Sequence, residues 1–285
     1  MIPSKFDYVR PNSVDEAVAA LKAGGEDSKV ITGGQSMLPL LRLRLAAPSV
    51  LVDCARIDEM KGIKDNGDSV TIGAAVTHWD VLHNDIVKTH VKLLADATAT
   101  VADPQVRHRG TFGGALAHGD PAGDLPAVVL ALDATMEIAG AKGRRQVAAK
   151  DFFVDYFTTA VGPDEILVSI TIPKLGKGWG TCYEKFNRTA SGWAVVGVAA
   201  AVKVEGGKIT DARIGLTNCA AVPVRASSVE SALKGASISA AEIEAASQSA
   251  AEGTRATSDL AADKEYREHL MRVVTARAVS CAAGA

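Results

Sequence analysis

Two short glycine-bearing segments hold the residue types best suited to gripping an anion. The first is Val30-Ile31-Thr32-Gly33-Gly34-Gln35-Ser36-Met37, an apolar stretch that runs into two glycines flanked by hydroxyl side chains. The second is Gly110-Thr111-Phe112-Gly113-Gly114, preceded by the basic run Arg107-His108-Arg109. Turns of this kind expose successive backbone N–H groups, and a residue without a Cβ leaves room for a phosphate beside the chain. One such turn is commonplace after a strand, whereas two of similar design suit the two phosphates of a pyrophosphate. Neither segment reads Gly-x-Gly-x-x-Gly, and Gly-x-x-x-x-Gly-Lys-Ser/Thr occurs nowhere, which disfavours the Rossmann and P-loop ways of holding a nucleotide.

Downstream, His118-Gly119-Asp120-Pro121-Ala122-Gly123-Asp124-Leu125-Pro126 brings two carboxylates into a tight turn. Asp124 reads as the N-cap of a helix with Pro126 in its first turn. Other chemistries lack their residues. The six histidines form no His-Glu-x-x-His pair, and no Gly-x-Ser-x-Gly elbow offers an acyl-transfer nucleophile. Cys54, Cys182, Cys219 and Cys281 include no Cys-x-x-Cys pair, so neither an iron–sulfur cluster nor a structural zinc is expected on this chain. With 31 Lys+Arg against 33 Asp+Glu, no general field draws a nucleic acid. The longest apolar tract, Trp193 to Val202, falls short of the ~18 residues of a membrane span. The opening Met1-Ile2-Pro3-Ser4-Lys5-Phe6-Asp7 lacks the apolar run of a secretory signal, so a cytoplasmic chain with reduced thiols is expected.

The elements that must position these loops follow from caps and periodicity. Ser13-x-x-Glu16 forms a capping box for a helix that Gly24-Gly25 ends, and strands are expected at Val30-Ile31 and Val50 to Val52. A strand at Val70 to Ala74 is followed by a cap at Thr77-x-x-Asp80 and a helical stretch holding Leu93 to Ala102, stopped by Asp103-Pro104. A helix through Val128, Val129 and Leu132 precedes an alternating strand from Ile166 to Ile172 that Pro173 closes. Lys174 to Gly180 reads as a linker. Gly206-Gly207 turns a hairpin between strands ending at Val204 and running from Ile209 to Leu216. Two closing helices follow, one capped by Ser239-x-x-Glu242, the other carrying Tyr266, Leu270, Val273, Val274 and Arg277. The 285 residues divide into three units at 1–56, 57–176 and 177–285.

Taken in order, Thr32-Gly33-Gly34-Gln35-Ser36, Thr111-Phe112-Gly113-Gly114 and Ala122-Gly123-Asp124-Leu125-Pro126 resemble the FAD-binding medium subunits of molybdenum hydroxylases. Within that family the aerobic carbon monoxide dehydrogenase branch is more similar than the xanthine dehydrogenase branch. The likeness runs from Phe6-x-Tyr8-x-Arg10-Pro11 to Tyr266-Arg267-x-x-Leu270, and Phe112 stands where the family more often has Ile or Val. It implies an α+β fold in which two small α/β domains sandwich FAD (a PCMH-type fold), followed by a C-terminal antiparallel sheet with helices. It also implies that Val30, Ile31, Thr32, Gly33, Gly34, Gln35, Ser36 and Met37 wrap the pyrophosphate, with Gly110, Thr111, Gly113 and Gly114 binding it from the second domain. Asp124 is implied to accept hydrogen bonds from ribityl or ribose hydroxyls. Val101 and Leu167 match apolar positions flanking the flavin, although each reads equally well as a core residue. Lys185 matches a lysine near the isoalloxazine ring, where a cation favours the reduced flavin; a solvated strand lysine fits as well. Trp193 stands where the family places a tyrosine against the ring, and its plain alternative is a core tryptophan.

The implied enzyme divides its chemistry among subunits. A large subunit carries the molybdenum cofactor, a small one carries 2Fe-2S clusters, and this chain passes electrons through non-covalent FAD to an external acceptor, quinone or NAD. The assembly is a dimer of heterotrimers, cytoplasmic or at the inner face of the membrane. A free-standing FAD oxidoreductase of the vanillyl-alcohol-oxidase type is the alternative. Roughly 110 residues after the linker are thin for its substrate domain. A non-catalytic nucleotide-binding module is a third reading.

Overall fold

The computed structural model describes residues 2–285. The N-terminal part runs β1 (Asp7–Val9), α1 (Val14–Gly24), β2 (Ser28–Ile31), α2 (Met37–Leu43) and β3 (Val50–Asp53), with its three strands parallel in the order β1-β3-β2. Ser13 caps α1 by accepting from the Glu16 N–H, while the Glu16 carboxylate accepts from the Asn12 N–H at 2.8 Å. Gly25, at φ 72°, ends the helix in a backbone conformation that glycine takes without a Cβ clash.

The middle part begins with β4 (Ile63–Asp65), β5 (Ser69–Gly73) and short helices α3 (His78–His83), α4 (Asp85–His90), α5 (Lys92–Ala99) and α6 (Pro104–Arg107). It continues with α7 (Phe112–His118), α8 (Asp124–Ala131), β6 (Thr135–Gly140), β7 (Gly143–Ala148), α9 (Ala149–Phe152), the small pair β8 (Phe153–Asp155) and β9 (Thr158–Thr159), and β10 (Ile166–Pro173). Its five-stranded sheet, β4-β5-β10-β6-β7, is antiparallel throughout. The C-terminal part forms a second antiparallel sheet from β11 (Trp179–Phe186), β12 (Val196–Glu205), β13 (Lys208–Thr217) and β14 (Val224–Arg225). Helices α10 (Ser227–Leu233), α11 (Ala240–Ser247) and α12 (Lys264–Ala283) complete it. The architecture is α+β as expected.

Two apolar cores hold these parts. One joins the N-terminal and middle parts, running from Leu21 and Val52 to Ile72, Leu94, Phe112, Val128 and Ile170. The other fills the C-terminal part, where Val198, Val202, Ile214, Val229, Ile243 and Met271 are buried. Asp133, held at φ 50°, links the middle part to the C-terminal sheet by pairing with Arg213 at 3.0 Å and Arg225 at 2.8 Å.

Several elements differ from the sequence expectations, each for a local reason. Asp103-Pro104 opens a helix rather than merely stopping one, because the Asp103 carboxylate accepts from the Val106 N–H and proline tolerates the first turn. The helical stretch before it is three pieces, since Asn84 caps α4 through the Ile86 and Val87 amides. Strands β1 and β7 lacked an apolar signal because they are largely exposed. The expectation that all cysteines stay reduced is overturned for one pair: Cys182 and Cys281 form a disulfide. Their 99-residue separation hid the pairing, which exists because α12 returns along β11. Cys54 and Cys219 are free and buried.

Candidate cofactor site

The two glycine loops meet. Thr32 and Thr111, 79 residues apart, bring their hydroxyls to 2.8 Å of one another. A Cβ on Gly33 would overlap the Arg109 carbonyl, and one on Gly114 would crowd the hydroxyls of Thr111 and Thr32. Glycine is therefore required here first by the approach of one loop to the other.

Their backbones serve different ends. In the first loop the amides of Gly33, Gly34, Gln35, Ser36 and Met37 donate no hydrogen bond among the described residues, and the segment is only partly covered. In the second loop the Phe112 N–H donates to Val76 O, that of Gly113 to Ala74 O, and that of Gly114 to the Thr111 hydroxyl. Gly113 is buried against Ala74, where a Cβ would overlap that residue. In the second loop the Thr111 N–H alone donates no hydrogen bond among the described residues, so the two loops differ in how many open amides each offers. Amides free to meet an anion are those of Gly33 to Met37 in the first loop and of Thr111 in the second.

A polar chain leads from the second loop toward the C-terminal sheet. Arg107 Nη1 donates to the carbonyls of Val101 at 2.8 Å and Ala102 at 3.2 Å, while its Nε is buried without a partner. His78, whose N–H donates to Gly110 O, buries its ring beside that glycine and leaves Nδ1 unpartnered. Burial, with the Arg107 charge nearby, lowers the His78 pKa to about 4. Next to Val101, the Thr100 carbonyl accepts from Lys185 Nζ at 3.1 Å.

Lys185 is neither solvated nor free. Its ammonium pairs with Asp124 at 2.9 Å, both side chains being almost fully buried, and Tyr183 donates to the other Asp124 oxygen at 2.6 Å. Asp124 is accordingly not the cap of α8: Gly123 occupies that position, and the Asp124 carboxylate is engaged across the domain joint. Burial raises its pKa, against the opposing pull of Lys185 and Tyr183; burial and the Asp124 charge together push the Tyr183 hydroxyl well up.

Trp193 is 63% exposed, which removes the reading of a core tryptophan. The carbonyl of the next residue, Ala194, accepts from Asn218 Nδ2 at 2.7 Å, and the Asn218 N–H donates to Pro121 O at 2.8 Å, tying this segment to the turn that precedes Asp124. Leu167 lies in the core at 4% exposure, and Val101 packs against it from a half-buried position. Tyr183, Asn218 and Arg107 had no role assigned from sequence. Tyr183 was within reach, since it stands two residues before Lys185 and the two therefore share a strand face.

The paired loops fit a dinucleotide: an uninterrupted run of open amides, hydroxyls from both sides, and orphaned polar atoms on Arg107 and His78 close by. These features define a phosphate-cradling α+β protein built across a domain joint. Residues 4–175 match the family described as FAD binding domain in molybdopterin dehydrogenase, and residues 181–282 match the CO dehydrogenase flavoprotein C-terminal domain. The chain belongs to the FAD-binding medium chains of the molybdenum hydroxylase family. It is 38% identical to the carbon monoxide dehydrogenase medium chain of Hydrogenophaga pseudoflava, over 99% of this chain and 98% of that one. It is 36% identical to the nicotine 6-hydroxylase medium subunit of Paenarthrobacter nicotinovorans, over 95% of each. The solved structure of reconstituted CO dehydrogenase from Oligotropha carboxidovorans superposes with a TM-score of 0.97 at 37% identity, covering 100% of this chain and 99% of that one.

Proposed function

We propose that this chain holds one non-covalent FAD and works as the electron-transfer subunit of a carbon monoxide dehydrogenase-type enzyme. The observation that carries this reading is the meeting of the two glycine loops, with five consecutive amides of the first loop donating no hydrogen bond among the described residues. FAD, when bound, supplies a carrier that takes electrons singly and releases them in pairs, which suits a chain set between one-electron iron–sulfur clusters and a two-electron acceptor, quinone or NAD. Gly33 to Met37 would grip the pyrophosphate, and the Thr32 and Thr111 hydroxyls would orient it. Asp124 keeps accepting capacity beyond its bonds to Tyr183 and Lys185 and would bind a ribityl or ribose hydroxyl. Lys185 sets a fixed cation beside Val101, and Trp193, exposed, would cover the ring. Leu167 would contribute from the core as packing.

Partners follow the same reading: a large molybdenum subunit, a small 2Fe-2S subunit, and a dimer of heterotrimers. The complex is cytoplasmic, at the inner face of the membrane when it delivers electrons to quinone. Among the described residues no helix is long and apolar enough to cross a membrane. Carbon monoxide is the substrate favoured by the 38% identity to the carbon monoxide dehydrogenase medium chain of Hydrogenophaga pseudoflava.

The test is purification of the native complex followed by acid precipitation. The expected result is one FAD per copy of this chain in the supernatant, with molybdenum and iron co-purifying on larger and smaller partners. Absence of flavin, or flavin that stays with the pellet, overturns the cofactor assignment. Isolation as a stable flavoprotein that oxidises a substrate unaided supports the free-standing alternative.

A further inference from the structure

The closing helix α12 is fastened at its two ends by different chemistry. Near its start the buried Arg267 donates to the carbonyls of Val195 and Asn218 and pairs with Asp259 at 2.7 Å. At its end the Ala282 carbonyl lies where a Cβ on Gly180 would sit, and Cys281 is bonded to Cys182 across a Cα separation of 5.9 Å. That separation is in the usual disulfide range.

The two sulfurs have unlike surroundings. Cys281 belongs to an exposed position on the last helical turn, whereas Cys182 is buried in the C-terminal core with Glu184 Oε1 4.0 Å from its sulfur. The next residue, Tyr183, belongs to the other core, so the bond grips β11 from the side opposite Asp124. Cys54 and Cys219 are enclosed, and burial pushes each thiol up to about 12, which takes both out of exchange.

We propose that Cys182 and Cys281 form a thiol–disulfide exchange site for low-molecular-weight disulfides, and that its state sets how firmly the end of α12 is held to β11. In the oxidising direction the Cys281 thiolate attacks one sulfur of the small disulfide, forming a mixed disulfide and releasing one small thiol. The Cys182 sulfur then attacks the Cys281 sulfur and expels the second small thiol. Each cysteine loses one hydrogen, the small disulfide gains both, and two electrons pass from protein to reagent. Reduction runs the same steps backward, entering at Cys281 because Cys182 is covered.

The experiment equilibrates the full-length chain with glutathione and glutathione disulfide at stepped ratios, quenches with an alkylating agent, and weighs the peptides carrying each cysteine. The pair should pass from alkylated to bonded across the series, with any glutathione adduct on Cys281. Trypsin provides a second readout, since Arg277 is exposed on α12. Cleavage after Arg277 should be at least ~10-fold faster in the reduced chain and in Cys281→Ser than in the oxidised chain, as expected when a helix end opens locally. Thiols alkylated at every ratio, a bond intact at every ratio, an adduct on Cys182, or equal cleavage rates would each overturn the proposal.

Discussion

The molecule has two joints, built from opposite materials. Where the two glycine loops meet, the N-terminal and middle parts touch through backbone and hydroxyls: Gly33 against the Arg109 carbonyl, and Thr32 against Thr111. The joint between the middle and C-terminal parts is made of buried charge: Asp124 between Lys185 and Tyr183. A joint of glycines is sensitive above all to added volume. A buried ionic joint tolerates small changes of shape but fails when one partner is lost, because the survivor remains in a medium that solvates it poorly.

The largest effect is expected from Lys185→Met, which strands the Asp124 carboxylate and should destabilise the chain by about 3–5 kcal/mol near neutral pH. Burial already raises the Asp124 pKa, so folding favours its protonated form; stability from that form is present at low pH and lost as pH rises through the folded pKa. The deficit of Lys185→Met should therefore shrink toward acid pH, and adding Asp124→Asn should recover part of it. Denaturant titrations at several pH values check this. A deficit that is constant with pH, with no recovery in the double variant, would deny the charge joint.

The glycine joint is expected to show one pH dependence of its own, through His78. Its folded pKa, about 4, lies below the ordinary 6.5, so the stability it supports is present above pH 6.5 and lost as pH falls through 4. The loss is about 3 kcal/mol over that window, from 1.36 kcal/mol per pKa unit. Comparing wild type with His78→Gln by thermal unfolding from pH 7 to 4 isolates it, and parallel curves would mean that the ring is not held neutral.

Gly33→Ala tests the same joint by volume. The added methyl forces the loops apart, and FAD retention should weaken at least ~100-fold, worth about 2.7 kcal/mol. Flavin-fluorescence titration of the apo-complex gives the number, and normal affinity would mean that the loops need not touch. The smallest effect belongs to the threonine pair. Thr32→Val and Thr111→Val should couple by about 1 kcal/mol in a double-mutant cycle on stability, the scale of one neutral hydrogen bond. Strict additivity would show that the two hydroxyls do not interact.

The glycine joint was largely legible in the sequence because its residues are contiguous and their types are unusual: Thr32-Gly33-Gly34 and Thr111-Phe112-Gly113-Gly114 carry their own signal. Even so, the reason for each glycine was not. Gly113 faces Ala74 and Gly33 faces Arg109, and neither neighbour is identified by spacing. The charge joint was legible only as separate residues. Asp124 read as a cap and ligand and Lys185 as a solvated strand lysine or a cation near the ring, neither as the other's partner, since pairing across 61 positions leaves no local trace. The disulfide was hidden for the same reason, while β12 and β13 were plain because the Gly206-Gly207 turn and the apolar runs flanking it are local facts.

Because Asp124 belongs to the middle part and both of its partners to β11, the order of synthesis bears on how the chain matures. A ribosome delivers Asp124 well before Tyr183 and Lys185, so the nascent middle part must carry that carboxylate hydrated or protonated until β11 emerges. Burial of Asp124 then coincides with docking of the last third of the chain. A chain interrupted after β10 would keep both glycine loops yet display an uncompensated acid where the finished protein is closed.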